Sequence, residues 1–289
     1  MKKEKSSETA VQMALSRTIE SLKTEEERIC YDPLAKDFLT PKYKILIQNK
    51  LLRNSVVKIM DQLFIGHHYY VVARTRYIDD FLQECIANEI KQVVIMGAGF
   101  DSRAYRFEKL KILTTFEIDY PATQNAKKIL IQNIFGTLPE YVNYIPIDFT
   151  KEKLKDLLLQ NKYNRDLKTL FIWEGTTPYI TAESVDDTLA FVTSYSCKGS
   201  SIIFDYILKS VLDRTCKYKG AKKEFAYLKK TSEPFTFGIE EDKIISFMKE
   251  RNFNNIVSVG SDDLKKTYIK NDNKIAIKEW WRIVHANVM

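Results

Sequence analysis

Cysteine, histidine, glycine and proline are all scarce in this chain of 289 residues, which holds 4, 3, 9 and 7 of them respectively. The cysteines, Cys30, Cys85, Cys197 and Cys216, lie far apart and form no CxxC pair. A disulfide framework is therefore not expected, and thiols spread like this fit a reduced, cytoplasmic protein. Two of the three histidines are adjacent, at 67 and 68, so no zinc-ligand spacing arises and no metal is expected. No Pro/Gly/Ser linker, internal repeat or low-complexity tract interrupts the chain. No segment approaches the roughly 18 uninterrupted apolar residues of a membrane span. The lysine-rich start, residues 1–8, has no apolar stretch behind it, so a secretory signal is not expected either.

What is present is an ordinary globular composition, with 45% apolar, 12% aromatic and 29% charged residues. Such a chain can bury a core without staples and is long enough for one large domain or two small ones. A net charge of +7 would suit a nucleic-acid binder, but the lysines are scattered among acids, as in 151–156. The densest basic stretch, 214–230, has a helical pattern and reads as a solvated lysine-rich face. Neither a nucleic-acid nor a membrane partner is expected.

The first ninety residues hold no clear strand. An amphipathic helix is expected over 9–28, with Val11, Ala14, Leu15, Thr18, Ile19 and Leu22 on one face. Asp32 before Pro33 can cap a turn of helix, another helix follows Pro41, and a third covers 67–89. The pattern then changes. Short apolar runs at 92–96, 114–119, 143–148, 169–174 and 201–205 alternate with amphipathic segments at 122–135, 151–160 and 182–196. This alternation predicts a parallel sheet covered on both faces, with right-handed crossovers.

Each of the four later runs ends in an acid: Asp119, Asp148, Glu174 and Asp205. The carboxyl ends of parallel strands form the rim where open α/β sheets bind ligands. One acid there could simply cap the next helix. Acids at successive ends fit a polyhydroxylated, partly cationic ligand better than a phosphate-rich one. The first run ends in Gly97-Ala98-Gly99, where the missing Cβ atoms let a ligand approach the backbone. Ser102 stands at the third position of the dinucleotide fingerprint, and Asp119 follows where a carboxylate can accept both ribose hydroxyls. Nicotinamide and S-adenosylmethionine sites share that geometry. The crowded acids, and the lack of a phosphate-pairing Arg after Asp119, favour S-adenosylmethionine.

Several segments together resemble one family. They are Asp32-Pro33-Leu34-Ala35, residues 73–82 (ARTRYIDDFL), 94–106 (VIMGAGFDSRAYR), 116–119 (FEID), 146–149 (PIDF), 173–179 (WEGTTPY) and 233–238 (EPFTFG). In this order they are similar to the leucine carboxyl methyltransferase-like group of class I S-adenosylmethionine-dependent methyltransferases, and most of all to its uncharacterised microbial branch. The GAGFDSRAYR and WEGTTPY segments in combination are the specific part. The resemblance implies an α/β fold: a seven-stranded, mostly parallel, doubly wound, Rossmann-like sheet with the seventh strand antiparallel. Residues 255–259 and 282–286 fit the last two strands. Residues 1–90 would form an N-terminal helical cap, and 91–289 the cofactor-binding core with a helical lid insert at about 209–238.

The resemblance also implies roles. Arg74 would pair with the methionine carboxylate, for which a guanidinium fork is well shaped; Arg17 is a second candidate. Gly97 and Gly99 would cradle the methionine part, Asp119 the ribose, and Asp148 with the Phe149 backbone the adenine. Glu174 would accept from the cofactor ammonium. Arg103 and Arg106 read as structural partners of nearby carboxylates. His67 and Tyr70 share a helical face with Arg74 and could reach the substrate, although a packed face is the plainer reading. Trp280 and Trp281 read as core and rim aromatics.

The expected activity is methyl transfer from S-adenosylmethionine to a carboxylate or hydroxyl oxygen of a small metabolite. A carboxylate acceptor needs no base, a hydroxyl does. His67 and His68 are the base candidates, and neither is assigned; the oligomeric state is left open. Two other classes stay open: an NAD(P)-dependent oxidoreductase on the same glycine loop, and a non-catalytic module that only binds S-adenosylmethionine.

Overall fold

In the computed structural model, residues 8–148, 152–230, 234–269 and 275–289 are described. Four helices precede the sheet: α1 (Glu8–Ser21), α2 (Pro41–Gln48), α3 (Lys50–Leu63) and α4 (His67–Ala87). The expected helix over 9–28 ends early, at Ser21. There the chain turns so that Asp32 can reach back to Arg17 on α1, at 2.8 Å. Asp32 also accepts from the Leu34 and Ala35 N–H groups, at 3.1 and 3.0 Å, at the entry to the short 3-10 turn Ala35–Phe38. The helix expected after Pro41 is two helices. Asn49 is extended between them, and its side chain caps α3 by accepting from the Leu51 and Leu52 N–H groups.

Seven strands follow: β1 (Gln92–Met96), β2 (Thr114–Asp119), β3 (Val142–Pro146), β4 (Thr169–Trp173), β5 (Ser201–Ile207), β6 (Phe253–Val259) and β7 (Trp281–Val288). They form one sheet in the order β3-β2-β1-β4-β5-β7-β6. Strands β1 to β5 run parallel, and β7 is antiparallel to both β5 and β6. Between and around them lie α5 (Arg103–Arg106), α6 (Pro121–Phe135), α7 (Leu154–Gln160), α8 (Ala182–Ser194), α9 (Lys209–Leu212), α10 (Lys219–Leu228), α11 (Ile244–Lys249) and α12 (Ser261–Tyr268).

Every residue of β1, β4 and β5 is buried, which is why these runs are apolar throughout and do not alternate with polar residues. The period-two geometry still divides them between two cores. Val93, Ile95, Leu170, Ile172 and Ile203 join the core that contains α1 and α4 residues such as Leu15 and Leu82. Val94, Met96, Phe171, Trp173 and Phe204 join the other, with Val185 and Leu189 of α8. The reversal of strand order lies between β1 and β4, so the ligand crevice opens at their carboxyl ends. No helix among the described residues is long and apolar enough to cross a membrane. The lysines of 214–230, Lys217, Lys219, Lys222, Lys223, Lys229 and Lys230, are all exposed.

Candidate functional site: the carboxyl rim of the sheet

The loop after β1 turns through two left-handed glycines, Gly97 at φ +66° and Gly99 at φ +41°. A Cβ on Gly97 would lie 2.0 Å from the Thr176 Oγ1, so no other residue fits without displacing Thr176. The two most diagnostic segments of the sequence therefore press on each other at this point. The loop is pinned from several sides. The Ala98 N–H donates to the Ile118 carbonyl at 3.0 Å, and the Gly99 N–H donates to the Asp119 carboxylate. Arg17 is committed here: it donates to the Phe100 carbonyl at 2.5 Å as well as to Asp32. It supports the glycine loop from α1.

Asp119 ends β2 half-buried, and its carboxylate also receives the Tyr120 N–H at 2.6 Å. Asp148 stands two residues beyond the end of β3, half-buried, with its N–H on Glu152 Oε2 at 2.8 Å. Phe149 lies outside the described residues. Glu174 follows β4 and is held between two arginines, with Arg74 Nη2 at 2.8 Å and Arg103 Nη1 at 2.7 Å. Burial alone would raise its pKa, but Arg74, Arg103 and Arg17 outweigh that and hold the carboxyl down at about 2.

Asp205 is not a strand end. β5 continues to Ile207 because the antiparallel β7 extends the pairing, from Ser201↔Asn287 through to Ile207↔Trp281. The carboxylate is fully buried and organises the rim. It pairs with Arg74 Nη1, accepts the Gly175 N–H at 2.6 Å and lies 3.4 Å from the Tyr70 hydroxyl. Its own carbonyl accepts from Thr177 Oγ1 at 2.5 Å. Burial raises the Asp205 pKa against the opposing pull of Arg74 and the Gly175 N–H.

Arg74 thus sits between Asp205 and Glu174, 3% exposed, with its pKa raised because those two acids outweigh its desolvation. Arg103 donates to Asp79 at 2.7 Å, Asp101 at 2.5 Å and Glu174 at 2.7 Å, and Arg106 donates to Asp79 at 2.7 Å. Both behave as structural partners of carboxylates around the loop, Asp79 of α4 among them. In this linked network three arginines meet four carboxylates, Asp79, Asp101, Glu174 and Asp205.

The two adjacent histidines differ. His68 Nε2 lies 3.2 Å from Glu20 Oε2, well inside the helical layer. Neither ring nitrogen of His67 has a hydrogen-bond partner among the described residues. Tyr70 packs against Trp281, ring centroids 5.5 Å apart, and Trp280 and Trp281 are both buried. Sequence alone does not show the buried pair in which Lys127 donates to Glu117 at 2.7 Å, nor a second one, in which Lys278 donates to Glu224 of α10 at 2.6 Å. The signal of the second is a lysine inside the apolar stretch 275–284, which an exposed strand entry would also produce.

The rim suits S-adenosylmethionine on chemical grounds. The linked network carries one negative charge in excess, matching the net positive charge of a sulfonium, an ammonium and a carboxylate. The buried Arg74 Nε has no hydrogen-bond partner among the described residues, which leaves a donor for an anionic oxygen. The glycine loop is half-buried at Gly97 and Gly99, so part of its backbone remains open to a ligand.

Comparison with known proteins agrees. The sequence profile of the family described as "Leucine carboxyl methyltransferase" matches residues 10–193. The Bacillus subtilis protein "Putative S-adenosyl-L-methionine-dependent methyltransferase YktD" is 32% identical over 222 residues, covering 71% of this chain and 72% of that one. A Streptomyces coelicolor protein of the same description, SCO7813, is 27% identical over 211 residues, with 71% of each chain covered. Among solved structures, the apo form of the S-adenosylmethionine-dependent methyltransferase SibL shares the fold. Its TM-score is 0.51 at 11% identity, over 85% of this chain and 61% of that one. With the family profile spanning well over half of its length, the chain belongs to the leucine carboxyl methyltransferase family of S-adenosylmethionine-dependent methyltransferases.

Proposed function

We propose that the protein transfers the methyl group of S-adenosylmethionine to an oxygen, carboxylate or hydroxyl, of a small-molecule acceptor. The observation that carries this reading is the buried network of Arg74, Glu174 and Asp205, which holds the Gly175 N–H in the same loop whose Thr176 packs against the left-handed Gly97. Arg74 would hold the methionine carboxylate and Glu174 the ammonium. Gly97 and Gly99 would cradle the chain between them, Asp119 the ribose, and Asp148 with Phe149 the adenine. When bound, the cofactor supplies an electrophilic methyl, so the protein needs no metal or redox group for this chemistry.

The chain's own contribution is placement and dryness. Arg74 and Glu174 are held by each other and by Asp205 and Arg103, so their geometry is set before a ligand arrives. The insert after β5 buries Phe235 and Phe237 and sets α10 against Trp280, which would exclude water from above the rim. Of the two base candidates, His68 is committed to Glu20, so a carboxylate acceptor, which has no proton to lose, is the simpler case.

The test is calorimetry with S-adenosylmethionine, S-adenosylhomocysteine and NAD side by side. The first two should bind and NAD should not; the reverse order overturns the assignment in favour of an oxidoreductase. With an acceptor in hand, a carboxylate should give a rate flat from about pH 6 to 9, because a carboxyl with a pKa near 4 is ionised throughout. A rate climbing steeply through neutrality would mean a hydroxyl acceptor and a titrating base. Methylation at nitrogen or carbon would discard the oxygen reading.

A further inference from the structure

Away from the rim, one stretch of surface is unusually apolar. Within residues 45–63, six large aliphatic side chains stand 37–76% exposed: Ile45, Leu46, Leu51, Leu52, Ile59 and Leu63. They belong to α2 and α3, and no residue of α3 is fully buried. Val56, Val57 and Met60 of α3 pack against the core and are partly covered by it. Leu52, Ile59 and Leu63, spaced i, i+7 and i+11, line up on a different face, with Leu51 on its flank. The apolar arc of α3 is thus wider than the core beneath it, and the surplus faces outward. Single exposed leucines are ordinary, but a contiguous apolar face marks a place where something else docks.

The exposed charges on these two helices are all of one sign. Lys42 and Lys44 of α2 and Lys50 and Lys58 of α3 are exposed, whereas Asp61, the one acid of 41–63, is half-buried. The neighbouring α10 continues the surface. Phe64, which follows α3, packs edge-on against Tyr227 with ring centroids 5.0 Å apart, and a Cβ on Gly220 would come 3.4 Å from the Ile65 Cβ. On and just after α10, Lys222, Lys223, Lys229 and Lys230 are exposed, while Glu224, the acid of that helix, is buried against Lys278. Lysines elsewhere pair with acids, as Lys111 does with Glu108 at 2.7 Å and Lys209 with Glu240 at 3.2 Å. None of the lysines on this surface forms an ion pair among the described residues. In sequence the two halves are far apart: 214–230 reads as a solvated lysine-rich face, and only the fold sets it beside the apolar α3.

We propose that α2, α3 and the outward side of α10 form a docking surface for an anionic lipid bilayer, on which the protein lies peripherally. The aliphatic side chains would enter the boundary between headgroups and acyl chains, and the lysines would meet the lipid phosphates. Tyr227, 52% exposed beside both, is of the aromatic type favoured at headgroup level. A second copy of the chain suits the place less well, because two such faces would bring lysines against lysines. Nucleic acid would satisfy the lysines and leave the aliphatic side chains without a partner. The surface stands apart from the rim and is independent of the methyltransferase reading.

The test is co-sedimentation of the full chain with vesicles of phosphatidylcholine alone, and of phosphatidylcholine with about one-third phosphatidylglycerol. The protein should pellet with the anionic vesicles and stay in solution with the neutral ones. Raising NaCl from about 0.1 to about 0.5 M should weaken binding at least about tenfold. The double substitutions Leu51→Asp with Ile59→Asp, and Lys222→Glu with Lys223→Glu, should each weaken it at least about tenfold. Lys109→Glu with Lys249→Glu, the same charge change at exposed positions outside the surface, should leave it within about twofold. Equal losses in the two charge-reversed proteins would mean that net charge alone draws the chain to vesicles, and would overturn the docking surface. Failure to bind anionic vesicles, or equal binding to neutral ones, overturns it too. A dimer in ultracentrifugation that the Leu51 and Ile59 changes abolish, without vesicle binding, would assign the face to a second copy instead. If the aspartate variant does not fold, the wild-type vesicle and salt measurements and the two lysine variants still decide.

Discussion

At the scale of single residues the rim works by mutual restraint. Asp205 holds Arg74, Arg74 holds Glu174, and Arg103 holds Glu174 from its other side. A ligand carboxylate arriving at Arg74 meets a guanidinium already oriented, so shape matters more than charge. Arg74→Lys should therefore lose most of the S-adenosylmethionine affinity even though the charge is kept, because a point ammonium cannot serve Asp205, Glu174 and a ligand oxygen as a planar fork can. The check is calorimetry against a decarboxylated analogue: the mutation should hurt the parent cofactor far more, and equal losses would make Arg74 purely structural. Asp119→Ala should weaken cofactor binding by roughly 2–4 kcal/mol if two charge-assisted hydrogen bonds are lost with partial compensation. Since Asp119 also receives the Gly99 N–H, a melting curve must accompany the binding measurement. A folded variant with undiminished affinity would remove Asp119 from the site. The acids of the rim are legible in sequence because they follow apolar runs. Their partners are not: Arg74 and Asp205 are 131 residues apart, and Arg103 and Glu174 are 71 apart. Nothing local in those stretches says which arginine meets which acid.

At the scale of elements the decisive contact is between two loops. Gly97 after β1 and Thr176 after β4 leave no room for a Cβ, and Gly97 also stands at φ +66°. Gly97→Ala therefore carries two separate penalties, about 1–3 kcal/mol for the backbone and about 1–3 kcal/mol for overpacking. Thr176→Ala removes the hydroxyl and methyl that the new Cβ would strike. In a urea-unfolding cycle the double variant should recover the overpacking part, a coupling of about 1–3 kcal/mol, and keep the backbone part. Strict additivity would show that the two loops do not share a tight contact. The existence of the strands is legible because a fully buried parallel strand must be apolar at every position. Their ends are less so. An acid closing an apolar run reads as the end of a strand, and Asp205 shows the exception: β7 pairs across it to Ile207 and buries the charge within the sheet. The helix break at Asn49 has a local signal in its capping side chain, but the two flanking helices share an apolar pattern that masks it.

At the scale of the whole molecule, the buried titratable groups set how stability follows pH. The histidines act first. The half-buried His285 packs on Phe81 with ring centroids 4.1 Å apart, and burial depresses its pKa to about 4; burial also holds the His67 pKa well below its ordinary value. A histidine with a depressed folded pKa takes up its proton more readily when unfolded, so stability falls as pH drops below the unfolded value near 6.5. For His285 the loss by pH 5 should be about 1 kcal/mol, allowing for solvent screening of a half-buried ring. Glu174 acts next. Its folded pKa of about 2 lies below the unfolded value, so its contribution is complete above about pH 4.5 and fades as pH falls towards 2. Asp32 is also lowered: burial would raise it, and Arg17 and Arg106 outweigh that, so it adds in the same direction and window. Urea unfolding at pH 7, 6 and 5 should show stability already declining, above the window in which the contributions of Glu174 and Asp32 fade. His285→Gln should flatten that part of the curve and leave the steeper loss below pH 4.5 in place. A wild-type curve level down to pH 5, with the same shape in His285→Gln, would mean that the half-buried His285 takes up its proton in the folded state as readily as in the unfolded one.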